Sequence, residues 1–95
     1  MSYPISLGTV TTGTPANGVA LTLPSPAFAN QLFVLVAFGD QTEDVVFSLD
    51  AAGTQPVNIA PAGARIEIGP YAAAVFPRFV HSATGVNVTL GGVRL

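Results

Sequence analysis

The sequence predicts an all-β fold: a single-domain antiparallel β-sandwich of about 7–9 short strands. Two observations carry this expectation. Gly, Pro, Asn and Asp break the chain about every eight to twelve residues, and the segments between the breaks alternate apolar and polar residues with period two instead of 3.6. A third observation sets the domain count, because residues 1–95 hold one hydrophobic core and leave no room for a second. A small closed β-barrel is the alternative architecture, since the same short strands can close on themselves.

Residues 1–8, with Tyr3, Pro4 and Ile5, are either an edge strand or an extended N-terminal arm that reaches a neighbour. Pro15-Ala16-Asn17-Gly18 leads into residues 19–23, where Val19, Leu21 and Leu23 alternate with Ala20 and Thr22. Asn-Gly favours a tight turn, so a hairpin is expected there, ended by Pro24 and Pro26. Residues 31–38 carry Leu32, Val34, Val36 and Phe38 on one face and Phe33, Leu35 and Ala37 on the other, which predicts a strand covered on both sides. Gly39-Asp40-Gln41-Thr42 then turns the chain into residues 43–50 as a continuing meander, with Val45, Phe47 and Leu49 opposite Val46, Ser48 and Asp50.

Short strands are expected next at 57–60, at 64–68 with Ile66 and Ile68 inward and Arg65 and Glu67 outward, and at 72–76. The alanines at 72–74 are the one place where helix propensity competes. Residues 78–82, 86–90 and 93–95 complete the set, with Val86, Val88 and Leu90 inward and Asn87 and Thr89 outward. Gly91-Gly92 predicts a bulge or kink between the last two strands.

Composition sets the function class. Only 8% of the residues are charged and none is Lys, yet 49% are hydrophobic. A chain of this mass should fold to roughly 5,100 Å² of accessible surface and bury about 63% of what the unfolded chain exposes. A free domain ordinarily carries about 25% charged residues, so a chain this poor in charge is expected to be a subunit covered by other protein in an assembly. The absence of Cys excludes disulfides and thiolate metal sites. Arg65, Arg78 and Arg94 are scattered and make no track for a phosphate backbone, so no nucleic-acid partner is expected. The longest apolar run, 32–38, falls far short of the roughly 20 residues of a spanning helix, so no membrane partner is expected either. The opening Met-Ser-Tyr-Pro-Ile-Ser lacks the basic start and apolar stretch of a secretory signal.

Little in the sequence points to catalysis. The single histidine, His81, is of the type most used as a general base, but no Gly-x-Ser-x-Gly elbow accompanies it. His81 is therefore expected to be a hydrogen-bonded strand residue and the protein not an enzyme, the alternative being a small hydrolase that uses His81. Asp40, Glu43 and Asp44 form an acidic cluster whose spacing does not match an EF-hand loop, so a solvated turn is expected and no metal or cofactor. Asn87-Val88-Thr89 matches a glycosylation sequon by chance. Tyr71, Phe76 and Arg78 lie close in sequence and are of types common in interface cores. Together with Tyr3, Pro4 and Ile5 they form the expected interface set.

The run Val45-Val46-Phe47-Ser48-Leu49-Asp50-Ala51-Ala52-Gly53, then Phe79-Val80-His81, then Thr84-Gly85-Val86-Asn87-Val88-Thr89-Leu90, resembles a pattern in small β-sandwich structural proteins of tailed bacteriophages. In that group a strand ending in Ser-x-Asp-x-x-Gly precedes two strands joined by a Thr-Gly turn, and a Trp, absent here, often follows the Asp-x-x-Gly turn. The resemblance covers about the last half of the chain and brings no catalytic residue. It implies a place in the virion, on the outer surface of the capsid, as a head decoration (cement) protein that bridges subunits of the major capsid protein. It also implies a minor head or tail component as an option, and the alternative reading of the chain is a minor tail or fibre component, or adhesin module, that recognises a host-surface glycan or protein. Clustering about a local threefold axis would make the homo-oligomer a trimer.

Overall fold

The computed structural model describes residues 5–21, 32–72 and 77–94. Among the described residues the chain forms no helix and eight strands: β1 (Ile5–Thr11), β2 (Val19–Ala20), β3 (Leu32–Ala37), β4 (Val45–Ser48), β5 (Pro56–Ala60), β6 (Ile66–Ala72), β7 (Phe79–His81) and β8 (Asn87–Arg94). They build two antiparallel four-stranded sheets, ordered β1-β8-β3-β6 and β2-β7-β4-β5. The expected sandwich is therefore the architecture. The barrel alternative fails because, among the described residues, the two sheets are separate and neither closes on itself.

The inner faces meet in one core. Leu35, Ala37, Ile68, Val88 and Leu90 come from the first sheet and Val45, Phe47, Ala60 and Val80 from the second, with Leu21 beside them. Phe47 is the largest fully buried side chain, and burying a residue of this size contributes about 1.5–3 kcal/mol. The folded chain exposes 4962 Å², close to the area expected from its mass.

Connectivity departs from the expected meander. Among the described strands, only β4 and β5 are both consecutive and paired, and each other pair of consecutive strands lies in different sheets. Asn17-Gly18 is accordingly not a hairpin turn, since β1 and β2 lie in different sheets. The turn is instead closed by Asn17 N–H donating to Thr14 O at 2.9 Å, and Gly18 does not take the left-handed φ that a type I′ hairpin needs. Likewise residues 38–44 leave β3 for the opposite sheet. Period-two patterning sets which face a residue takes and is silent on which strand lies alongside.

Several boundaries also move. The strands expected at 43–50 and 78–82 shorten to β4 and β7, and that at 64–68 lengthens into β6, which absorbs Ala72 and contains a cis Gly69–Pro70 bond. Residues 73–76, where a helix was the competing expectation, lie outside the described residues. Gly91 and Gly92 make no kink: they stay in register opposite Val36 and Leu35 in one continuous strand. The register shift falls on the partner strand between Ser6 and Gly8, where Gly8 has φ +79° and the extra residue, Leu7, packs on the core. In β3 the expected two-sided cover holds over Leu35, Val36 and Ala37, whereas Leu32 is 48% exposed and Phe38 carries the Arg65 guanidinium 5.1 Å above its ring.

At one end of the sandwich Gln41 ties two connections together. Its buried amide donates from Nε2 to Pro61 O at 2.8 Å and to Ala64 O at 2.9 Å, and its backbone carbonyl accepts from Gly63 N–H at 2.8 Å. That orientation leaves Oε1 buried with no partner among the described residues.

Candidate functional site

His81 lies on the outer face of the second sheet, opposite Val46 of β4, which in turn lies opposite Ile59 of β5. Residues directly opposed in an antiparallel pair share a face, so Ile59, Val46 and His81 form a row across three strands. Ile59 is 49% exposed, whereas His81 is buried. Two loops cover the imidazole. A Cβ on Gly18 would meet its Cε1 at 2.4 Å, and a Cβ on Gly53, at φ +72°, would meet it at 3.3 Å. Gly18 needs glycine for that clearance and Gly53 for its left-handed φ.

The ring is held by hydrogen bonds. Nε2 lies 2.6 Å from Ser48 Oγ, a diagonal neighbour on the same face. Ser48 Oγ is also placed to donate to Asp50 O at 2.8 Å, and the roles along these contacts follow the ring tautomer: Nε2–H donating to Ser48 goes with the hydroxyl donating to Asp50 O, and Nδ1–H donating to the Thr14 carbonyl goes with Nε2 accepting from Ser48. Nδ1 faces the Thr14 carbonyl at 3.4 Å. Ser48 is also fully buried, and it is a backbone carbonyl, not a carboxylate, that faces Nδ1.

The covering loop is fixed to β7 by further bonds. After Thr11 the chain leaves the first sheet, and Gly13 bridges to His81, with Gly13 N–H donating to Val80 O and Ser82 N–H donating to Gly13 O. Beside this bridge the buried hydroxyls of Thr12 and Ser82 meet at 2.5 Å. Thr12 Oγ1 also accepts from Val86 N–H, and Ser82 Oγ from Gly85 N–H. Between the loops a cavity of about 330 Å³ opens, floored by Val46 and His81 and walled by Pro15, Gly53, Ser82, Ala83 and Asp44.

The acidic cluster divides among separate partners. Asp40 accepts from Thr89 N–H at 2.8 Å and Thr89 Oγ1 at 2.6 Å, Glu43 from Thr84 N–H at 2.8 Å, and Asp44 from Ala62 N–H at 2.9 Å. Asp50 accepts from Thr54 and from Gln55 N–H at 2.9 Å. The hydroxyl bonds of Thr89 and Thr54 hold Asp40 and Asp50 below the usual carboxylate range, and the Thr84 amide does the same for Glu43. Among the described residues no three His, Cys, Asp or Glu side chains gather as metal ligands. The sequon lies in β8, with Asn87 accepting from Thr11 Oγ1 and the Thr89 hydroxyl taken by Asp40.

Of the expected interface set, Tyr3, Pro4 and Phe76 lie outside the described residues. Ile5 opens β1 opposite Gly92. Tyr71 lies on β6 of the first sheet, half-buried against the core. Arg78 precedes β7 of the second sheet and is exposed; its backbone N–H donates to Ser48 O and its carbonyl accepts from Leu21 N–H. Sequence reasoning missed Ser48, Gly18 and Gly53 as partners of His81. The available signal was that a histidine inside an apolar strand needs a hydrogen-bond partner and space. Comparison of the chain with protein-family models, curated proteins and solved structures gives no match.

Proposed function

We propose that this chain is a non-enzymatic structural subunit of a virion, a capsid decoration or cement protein that stabilises the shell by bridging neighbouring capsid subunits. One observation carries the proposal: the chain has few charges, and several of them are engaged in closing its own loops. Asp40, Glu43 and Asp50 are bound by its own amides and hydroxyls, while Leu32 and Phe38 of one sheet region and Val19 and Ile59 of the other stay exposed. A surface so constituted associates through apolar burial. Such contacts persist in salt, which screens exposed charge pairs beyond about 8 to 10 Å. The burial of His81 and Ser48 beneath two covering loops supports a structural role for that pair. A cyclic trimer is the proposed oligomer.

The cavity on the second sheet favours one other reading, a tail, fibre or adhesin module, in the form that recognises a host-surface protein rather than a glycan. Copy number separates the two. Source particles banded on a density gradient, with this chain quantified by mass spectrometry against the most abundant shell protein, should give a ratio near one to one for a decoration protein. A few copies per hundred would assign it to the tail or a vertex. Absence from particles would overturn both.

A further inference from the structure

The cavity on the outer face of the second sheet has an uneven chemistry. Its floor and walls at Val46, Pro15 and Ala83 are hydrocarbon. The polar groups that reach it are mostly committed: the His81 ring nitrogens face Ser48 and Thr14, and Ser82 Oγ is shared between Thr12 and Gly85 N–H. Asp44 differs. Oδ1 accepts from Ala62 N–H, and Oδ2 has no hydrogen bond among the described residues. The wall therefore offers apolar contact along its length and one negative acceptor.

Volume limits what can enter. About 330 Å³ is at the low end of small-molecule sites, which fits a stem of a few carbons with a compact head. A carboxylate at the wall repels anions such as phosphates, and a glycan would need several uncommitted donors and acceptors. We infer that the cavity binds an alkyl cation, an aliphatic stem ending in an ammonium or guanidinium that pairs with Asp44. Two sources carry this chemistry: a Lys or Arg side chain presented by a partner protein, and a free alkylamine. Binding is independent of a virion role and needs only the isolated chain, so failure here leaves the copy-number experiment unaffected.

The test is a titration of the full chain followed by amide NMR shifts at low salt. The probes are n-butylguanidinium and n-butylammonium, with n-butanol and butyrate as controls. The cations should saturate with shifts centred on Gly53, Ser82 and Ala83, at a Kd on the order of 1–10 mM for ligands of this size. The Asp44→Asn variant keeps the oxygen that accepts from Ala62 N–H and loses the charge, so it should retain the fold and weaken both cations roughly threefold to tenfold. Ala83→Trp, at an exposed position, should fill the cavity and abolish the shifts. Tighter binding of Nα-acetyl-arginine amide than of n-butylguanidinium assigns a protein side chain as the source, and tighter binding of putrescine assigns a free amine. Butanol binding as tightly as the cations, or unchanged affinity in Asp44→Asn, would overturn the inference.

Discussion

Gly18 and the imidazole of His81 occupy adjoining space that no side chain can share: a methyl group on Gly18 would lie 2.4 Å from Cε1 and 2.6 Å from Nε2. The ring thus fixes the identity of a loop residue 63 positions earlier (81 − 18), and the loop in turn covers the ring.

Gly18→Ala should destabilise the fold by about 1–3 kcal/mol, the usual cost of overpacking. Urea unfolding measures it. His81→Ala removes the clashing ring, so the double variant should lose less than the sum of the two single losses, with a coupling of roughly 0.5–3 kcal/mol. Strict additivity would mean that the ring and the loop do not meet in solution.

Ser48→Ala leaves Nε2 of His81 buried without its hydrogen-bond partner, and the expected loss is about 1–3 kcal/mol. Hydrolytic activity toward generic ester substrates should be the same for the parent chain and this variant. An ester turnover that disappears with the serine would reinstate the hydrolase alternative.

Gln41→Glu places a carboxylate where Nε2 faces two carbonyls. Ionisation is disfavoured there, so the folded-state pKa of the substituted acid is raised. Stability should drop by about 1–3 kcal/mol near pH 7 and recover as the pH falls and the acid protonates. The variant's denaturation midpoint should therefore lie below the parent's at pH 7 and approach it at pH 4.5.

Asp40, Glu43 and Asp50 are held below their ordinary ionisation range by hydrogen bonds from Thr89, Thr84 and Thr54. The unfolded chain binds protons first as pH falls, so their contribution is present above about pH 4 and is lost as the pH drops through the lowered folded values. Melting curves from pH 5 to pH 2 should show Tm falling. Asp40→Asn should shrink that fall, and an unchanged pH slope would remove Asp40 as a contributor.

Face assignments were legible in the sequence, and partners were not. Ile66 and Ile68 inward with Arg65 and Glu67 outward, and Val88 and Leu90 inward with Thr89 outward, follow from alternation alone and match the observed burial. Asn17-Gly18 misled because its hairpin statistics come from local turn geometry, whereas here a histidine from a distant strand requires the glycine. Gly91-Gly92 misled in the same way: neighbouring strands on both sides keep β8 straight, and the irregularity moves to the edge strand β1. The hydroxyl of Ser48 drew no notice because a serine in a strand has no distinguishing neighbours until the fold supplies His81.

The place of β8 between β1 and β3 has a kinetic consequence. Among the described residues the last strand in sequence is the one that both of its neighbours require, since β1 pairs with no other described strand and β3 otherwise holds only the edge strand β6. Nearly all contacts between the described strands also join distant segments, and among them the β4–β5 hairpin is the one local pairing. Closing such long loops before any contact is made slows folding. As the chain emerges from a ribosome, the first sheet must therefore wait with Leu7, Val10 and Leu35 uncovered until residues 87–94 arrive to join it.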